Sequence, residues 1–122
     1  MKTVLIAEDN PINRELLREL LELRGFCVVE ASDGEQALKQ IRQNKPDILL
    51  LDLNMPVLDG FATLERIRQD PGLAAMPVLA VTAYAMRGDR ERILKSGFNG
   101  YLSKPIHSGD LETELRRLFK DG

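Results

Sequence analysis

Five side chains of types that handle metal or phosphate lie where short apolar runs of this sequence end. Val4 to Ala7 leads into Glu8 and Asp9, Ile48 to Leu51 into Asp52, and Pro77 to Val81 into Thr82; the run closing at Leu102 is followed by Ser103, Lys104 and Pro105. Carboxylates brought together repel, and such a cluster is stable when a cation joins it. Hard oxygen ligands with room for water favour magnesium over zinc, and a backbone carbonyl such as that of Asn54 would help complete an octahedron. Three carboxylates, one divalent ion and the Lys104 ammonium cancel in formal charge. A neutralised acid cluster with one hydroxyl and one ammonium suits transfer of a phosphoryl group to an Asp oxygen. In that chemistry the metal and Lys104 bind the phosphoryl oxygens and Thr82 hydrogen-bonds one of them, since positioning and charge stabilisation are most of what phosphoryl transfer requires. No Ser-His-Asp set, Walker loop or Gly-rich dinucleotide turn competes.

Those residues act together only if the fold brings the ends of the runs to one place. Ile48 to Leu51 are apolar without a break, so they cannot alternate in and out and read as a strand buried on both faces of a parallel sheet. An Asp is costly inside a core, which puts Asp52 where the strand emerges, and Pro56 marks a chain that has already turned away. A blander reading of Asp52, and equally of Thr82, is a loop cap. Cys27 to Ala31 is a further strand by its valines.

Helical signals separate these strands. Asn10-Pro11 supplies an N-cap and a first helical residue, and Leu16, Leu17, Leu20, Leu21 and Leu23 continue at helical spacing to Gly25. Ser32 and Glu35 stand at capping-box spacing before Ala37, Leu38 and Ile41. Asp59-Gly60 precedes Phe61, Leu64 and Ile67, and Asp70-Pro71-Gly72 ends that helix. Arg87 to Ser96 is dense in charge, with only Ile93 and Leu94 as large apolar residues, and reads as a marginal, largely exposed helix. Ser108 or Asp110 is expected to cap a last helix with Leu111, Leu115, Leu118 and Phe119 inward. Five strands alternating with five helices predict an α/β fold with right-handed crossovers and a covered parallel sheet. The expected architecture is a flavodoxin-like (βα)5 three-layer sandwich in strand order 2-1-3-4-5, whose topological switch lies between the strands that end in Asp9 and Asp52.

The chain of 122 residues reads as one domain over residues 1–122, with 17 basic against 19 acidic residues and a net charge of -2. That balance leaves no electrostatic footprint for nucleic acid or an anionic membrane. The apolar runs fall short of membrane-spanning length and no signal peptide precedes the first strand, so a cytoplasmic protein is expected. Cys27, beside Val28 and Val29, is expected to be a small buried residue rather than a nucleophile. His107 has no second His or Cys with which to bind zinc and is expected in an exposed loop.

The ordered set Glu8-Asp9-Asn10, Leu51-Asp52-Leu53-Asn54-Met55-Pro56 with Asp59-Gly60, Val81-Thr82-Ala83, and Lys104-Pro105 resembles the receiver domains of two-component response regulators, from Lys2 to about Phe119. Within that family, residues 81–89 are similar to single-domain regulators of the DivK type and to receivers of hybrid histidine kinases. The resemblance implies that Asp52 accepts a phosphoryl group from a phosphohistidine on a sensor histidine kinase or histidine phosphotransfer protein. It implies that Asp9, Asp52 and the Asn54 carbonyl ligate magnesium, with Glu8 acting through a water, and that Lys104 binds the phosphoryl group beside a cis Lys104–Pro105 bond. Thr82 and Tyr101 match the family's switch pair, although Tyr101 also reads as an ordinary edge-strand aromatic. Output is expected through a downstream protein partner, not through DNA or membrane. Two rival readings stay open. A haloacid-dehalogenase-like phosphatase also pairs a nucleophilic Asp with Thr, Lys and magnesium, but it wants a second Asp two residues on, where this chain has Asn54. A receiver-shaped interaction module that takes no phosphate is the other.

Overall fold

Burial along the third strand sets the architecture: all five residues of Ile48–Asp52 are buried, which requires cover on both faces. The computed structural model describes residues 2–55, 57–83 and 87–119. Pro56 and residues 84–86, on which part of the sequence reading rests, lie outside them. In chain order the elements are β1 (Thr3–Ala7), α1 (Pro11–Leu23), β2 (Cys27–Ala31), α2 (Gly34–Asn44), β3 (Ile48–Asp52), α3 (Gly60–Gln69), β4 (Val78–Thr82), α4 (Arg87–Lys95), β5 (Gly100–Ser103) and α5 (Ser108–Phe119). The strands form one sheet in the order β2-β1-β3-β4-β5, every neighbouring pair parallel. This is the expected flavodoxin-like arrangement.

Alternate residues of the central strands point to opposite faces. Val4, Ile6, Ile48, Leu50, Leu79 and Val81 pack with Leu17 and Leu21 of α1 and with Leu111 and Leu115 of α5. Leu5, Ala7, Leu49, Leu51, Val78 and Ala80 pack on the other face with residues of α2 and α3 and with Ile93 of α4. The apolar spacing of α1 overstates its buried stripe, since Leu16 and Leu23 are exposed and only Leu17 and Leu21 are fully covered. Cys27 departs from expectation in the same way: it is exposed, because β2 is an edge strand and Cys27 is its first residue.

Local signals place most helix starts. The Asn10 side chain accepts from the Ile12 and Asn13 amides, and the Asp59 carboxylate from the Ala62 amide at 2.8 Å. At α2 the cap falls one residue later than the Ser32–Glu35 spacing suggests. Asp33 accepts from the Gln36 amide, while the Gln36 side chain reaches back to the amide and hydroxyl of Ser32. Glu35 is thereby left to pair with Arg66 of α3. At α5 neither Ser108 nor Asp110 is the cap. Ser108 is already helical, the His107 carbonyl accepts the first amide bond, from Leu111, and the Ser108 hydroxyl accepts from Arg24 at 2.8 Å. His107 is exposed, as expected.

Two glycines permit the close approaches that seat the loop after β3. A Cβ at Gly60 would stand 2.7 Å from the Leu53 Cα and 2.8 Å from the Asp52 carbonyl oxygen, and one at Gly34 would stand 2.5 Å from the Leu58 carbonyl oxygen and against the Thr63 hydroxyl. The same loop holds Val57 at φ 70°, a conformation in which a β-branched residue is an outlier and which costs about 1 to 3 kcal/mol. Backbone strain thus sits a few residues from Asp52. The fourth helix is thinly seated, as its composition predicts. Ile93 is its buried apolar anchor, Leu94 is exposed, and arginines supply the remainder: Arg92 lies 4.2 Å over the Phe61 ring and Arg90 5.6 Å over that of Tyr101.

Candidate functional site

Strand register dictates which side chains meet at the carboxyl edge of the sheet. Ala7 is level with Leu51, so Glu8 and Asp52, the next residues of their chains, emerge side by side. Asp52 is level with Val81, which sets Thr82 one step beyond it, and Thr82 is level with Ser103, which sets Lys104 one step further. Residues distant in sequence arrive within hydrogen-bonding reach as a result. The Lys104 Nζ donates to Glu8 Oε1 at 2.8 Å and to Asp52 Oδ2 at 3.1 Å. The second Asp52 oxygen, Oδ1, accepts from the Asn54 amide at 3.0 Å, so the turn that follows β3 holds the carboxylate from below. Glu8, Asp52 and Thr82 are each at least 98 % buried, whereas Asp9 and Asn54 are exposed. Carboxylate oxygens of Glu8, Asp9 and Asp52 come within 4.8 Å of one another. Tyr101 lies half-buried on β5 with its ring against the core, level with Ala80 and two residues short of the site. The Lys104–Pro105 peptide is cis.

Burial of like charges has its usual consequence. Desolvation above all, and then the neighbouring Asp52, push the Glu8 carboxyl from its ordinary 4.5 up to about 7, against the pull of Lys104. Burial works against the Lys104 ammonium as well, but its hydrogen bonds to Glu8 and Asp52 prevail and raise its pKa. An acid whose folded pKa is raised binds its proton more tightly when folded, so its contribution to stability is full below 4.5 and is lost as pH rises to about 7. Metal-free protein is therefore expected to lose thermal stability across that window, and Glu8→Gln to lose less. Melting temperatures of the two across the window, in chelator, check this; equal slopes would contradict it.

The donor set fits a hard divalent cation. Glu8 Oε2 is buried with no hydrogen-bond partner among the described residues, an acceptor that a cation or its water would satisfy. All three acids offer oxygen only, and with one ammonium among them two formal negative charges remain for the ion to neutralise. One charged group beside this cluster escapes a reading of motifs. Arg14 of α1 donates to the Glu8 carbonyl at 2.8 Å and pairs with Glu30 of β2. Its signal in the sequence is faint: Arg14 and Arg18 stand one helical turn apart, and Glu30 is the lone charge in the strand Cys27–Ala31.

Comparison with known proteins places the chain. The model of the response regulator receiver domain matches residues 4–116. The polar-differentiation response regulator DivK of Brucella anthropi is 41% identical over 105 residues, covering 86% of this chain and 85% of its own. Among solved structures, the receiver domain of sensor histidine kinase PA1611 from Pseudomonas aeruginosa, with magnesium coordinated in its active-site cleft, superposes with a TM-score of 0.90. It is 35% identical and covers 98% of both chains. The chemotaxis protein CheY4 of Vibrio cholerae also superposes with a TM-score of 0.90, at 28% identity over 97% of this chain and 98% of its own. Among the described residues no helix is long and apolar enough to cross a membrane. By sequence, by fold and by the acids at its sheet edge, this chain belongs to the response regulator receiver domains of two-component signalling.

Proposed function

We propose that residues 1–122 act as a single phosphorylation switch in which Asp52 takes a phosphoryl group from a phosphohistidine of a sensor histidine kinase or histidine phosphotransfer protein. The observation that carries this reading is the convergence of Lys104 Nζ on both Asp52 and Glu8 beside a buried, unpartnered Glu8 oxygen. An Asp52 oxygen attacks phosphorus, the new O–P bond forms as the N–P bond breaks, and the imidazole nitrogen leaves with the electron pair. Lys104, already at 3.1 Å from Asp52, binds an oxygen of the incoming phosphoryl group. The Asn54 amide keeps the acceptor carboxylate oriented, so little reorganisation precedes attack. Asp9, Asp52 and the Asn54 carbonyl would hold magnesium, with Glu8 reaching it through a water. The ion, when bound, supplies neutralising charge to acceptor and phosphoryl oxygens. The chain catalyses its own phosphorylation and dephosphorylation and no other turnover; Asn54 stands where a haloacid-dehalogenase-type phosphatase needs its acid.

Readout follows from the same edge. Thr82 would turn its hydroxyl to the phosphoryl group, and the Tyr101 ring would move inward into the space so vacated. That ring carries Arg90 of α4, so its movement alters the seating of a helix anchored by one buried apolar residue. A bias of about 1 to 3 kcal/mol there changes affinity for a downstream protein partner severalfold or more. Acetyl phosphate tests the chemical step. In intact mass spectrometry the chain is expected to gain one phosphoryl group with magnesium present and none in chelator. Full labelling in chelator would remove the metal from the scheme.

A further inference from the structure

The turn between β1 and α1 carries two of the three clustered acids, and charges outside the cluster hold its main chain. We propose that Arg14 is a positioning residue for divalent-cation binding, acting through the peptide group between Glu8 and Asp9; this rests on reading Glu8, Asp9 and Asp52 as the metal site. The Glu8 carbonyl belongs to that peptide group, whose atoms are coplanar from one Cα to the next, so holding the oxygen restrains the ψ of Glu8 and the φ of Asp9, which orient the two side chains. Arg14 fixes it from one side, donating Nη1 at 2.8 Å. The Glu8 amide, donating to the Ala31 carbonyl at 3.1 Å, fixes the turn from the other. Arg14 is in turn held in place: its Nε donates to Glu30 Oε1 at 3.2 Å, and the other Glu30 oxygen accepts from Arg18. The turn is thus clamped to the end of β2 twice, directly by its amide and through Arg14 by its carbonyl.

Charge and geometry predict opposite signs for Arg14. A guanidinium close to the cluster repels an arriving cation, so on Coulomb grounds alone its removal tightens binding. If Arg14 acts by orienting the acids, its removal weakens binding, as loss of the outer partners of metal ligands generally does. Magnesium alone is titrated into the metal-free chain by calorimetry, with backbone amide shifts as a second readout, for wild type, Arg14→Met and Arg14→Lys. Arg14→Met is expected to bind about tenfold more weakly, with Arg14→Lys between it and the wild type, because the ammonium can still donate but lacks the fixed two-pronged geometry. Magnesium binding by Arg14→Met as tight as, or tighter than, that of wild type overturns the proposal while leaving the metal site intact. Failure of the wild type to bind magnesium overturns both. Should Arg14→Met not fold, Arg14→Lys decides: weaker binding than wild type supports the positioning role, and identical binding overturns it.

Discussion

Asp52→Asn is expected to take up no phosphoryl group from acetyl phosphate and yet to be more stable than the wild type when metal-free. Its amide is nearly the same size as the carboxylate and can still accept the Asn54 amide through its oxygen, so the turn after β3 is preserved. What disappears is the anionic nucleophile, and with it the chemistry. The buried pair of acids also loses one charge: Glu8 is freed of the neighbour that, after burial, does most to raise its pKa, and it retains Lys104 at 2.8 Å. Relief of such a functional conflict is worth about 1 kcal/mol, seen as a higher urea midpoint on the alkaline side of the Glu8 titration. Labelling of the variant at the wild-type level would dismiss Asp52 as the acceptor. Loss of label together with lowered stability would instead mark a merely structural Asp.

Lys104→Met is expected to move stability the other way. The ammonium is the one side-chain cation hydrogen-bonded to Glu8 and Asp52 among the described residues, and both acids are almost wholly buried. Removing one member of a buried ionic group leaves the remainder uncompensated, at a cost of about 3 kcal/mol at neutral pH and above. Below its titration Glu8 can protonate, so the deficit shrinks as pH falls; saturating magnesium reduces it too. Labelling by acetyl phosphate slows by about a hundredfold or more, the scale of losing one preorganised charge at a reacting group. Denaturation curves at acidic and alkaline pH, with and without magnesium, separate these effects. A deficit independent of both would show that Lys104 acts through packing alone.

The fold was open to inspection in the sequence because burial on a sheet is written locally. Ile48 to Leu51 read as a buried central strand, Asn10-Pro11 and Asp59-Gly60 announce helices, and the acids after Ala7 and Leu51 mark the ends of strands that are neighbours in a 2-1-3-4-5 sheet. The thin seating of α4 was equally visible in its composition. Periodicity served less well at the margins. It could not tell that Cys27 opens an edge strand, that Leu16 and Leu23 face outward, or that Asp33 and not Ser32 caps α2, since each depends on what lies across from the residue.

The primary structure alone therefore determined the order of elements, the two-faced core and the list of groups delivered to one sheet edge. Tertiary structure decided how those groups interact. Lys104 meets Glu8 across 96 residues of chain, the Glu8 carboxyl is driven up by burial, and Arg14 reaches a backbone oxygen six residues back while gripping Glu30 on another strand. The physical reason is one of range. Which face a side chain takes is set by the repeat of its own element, whereas which charges come together, and how dry they are, is set by strand register and sheet order, which no local stretch contains.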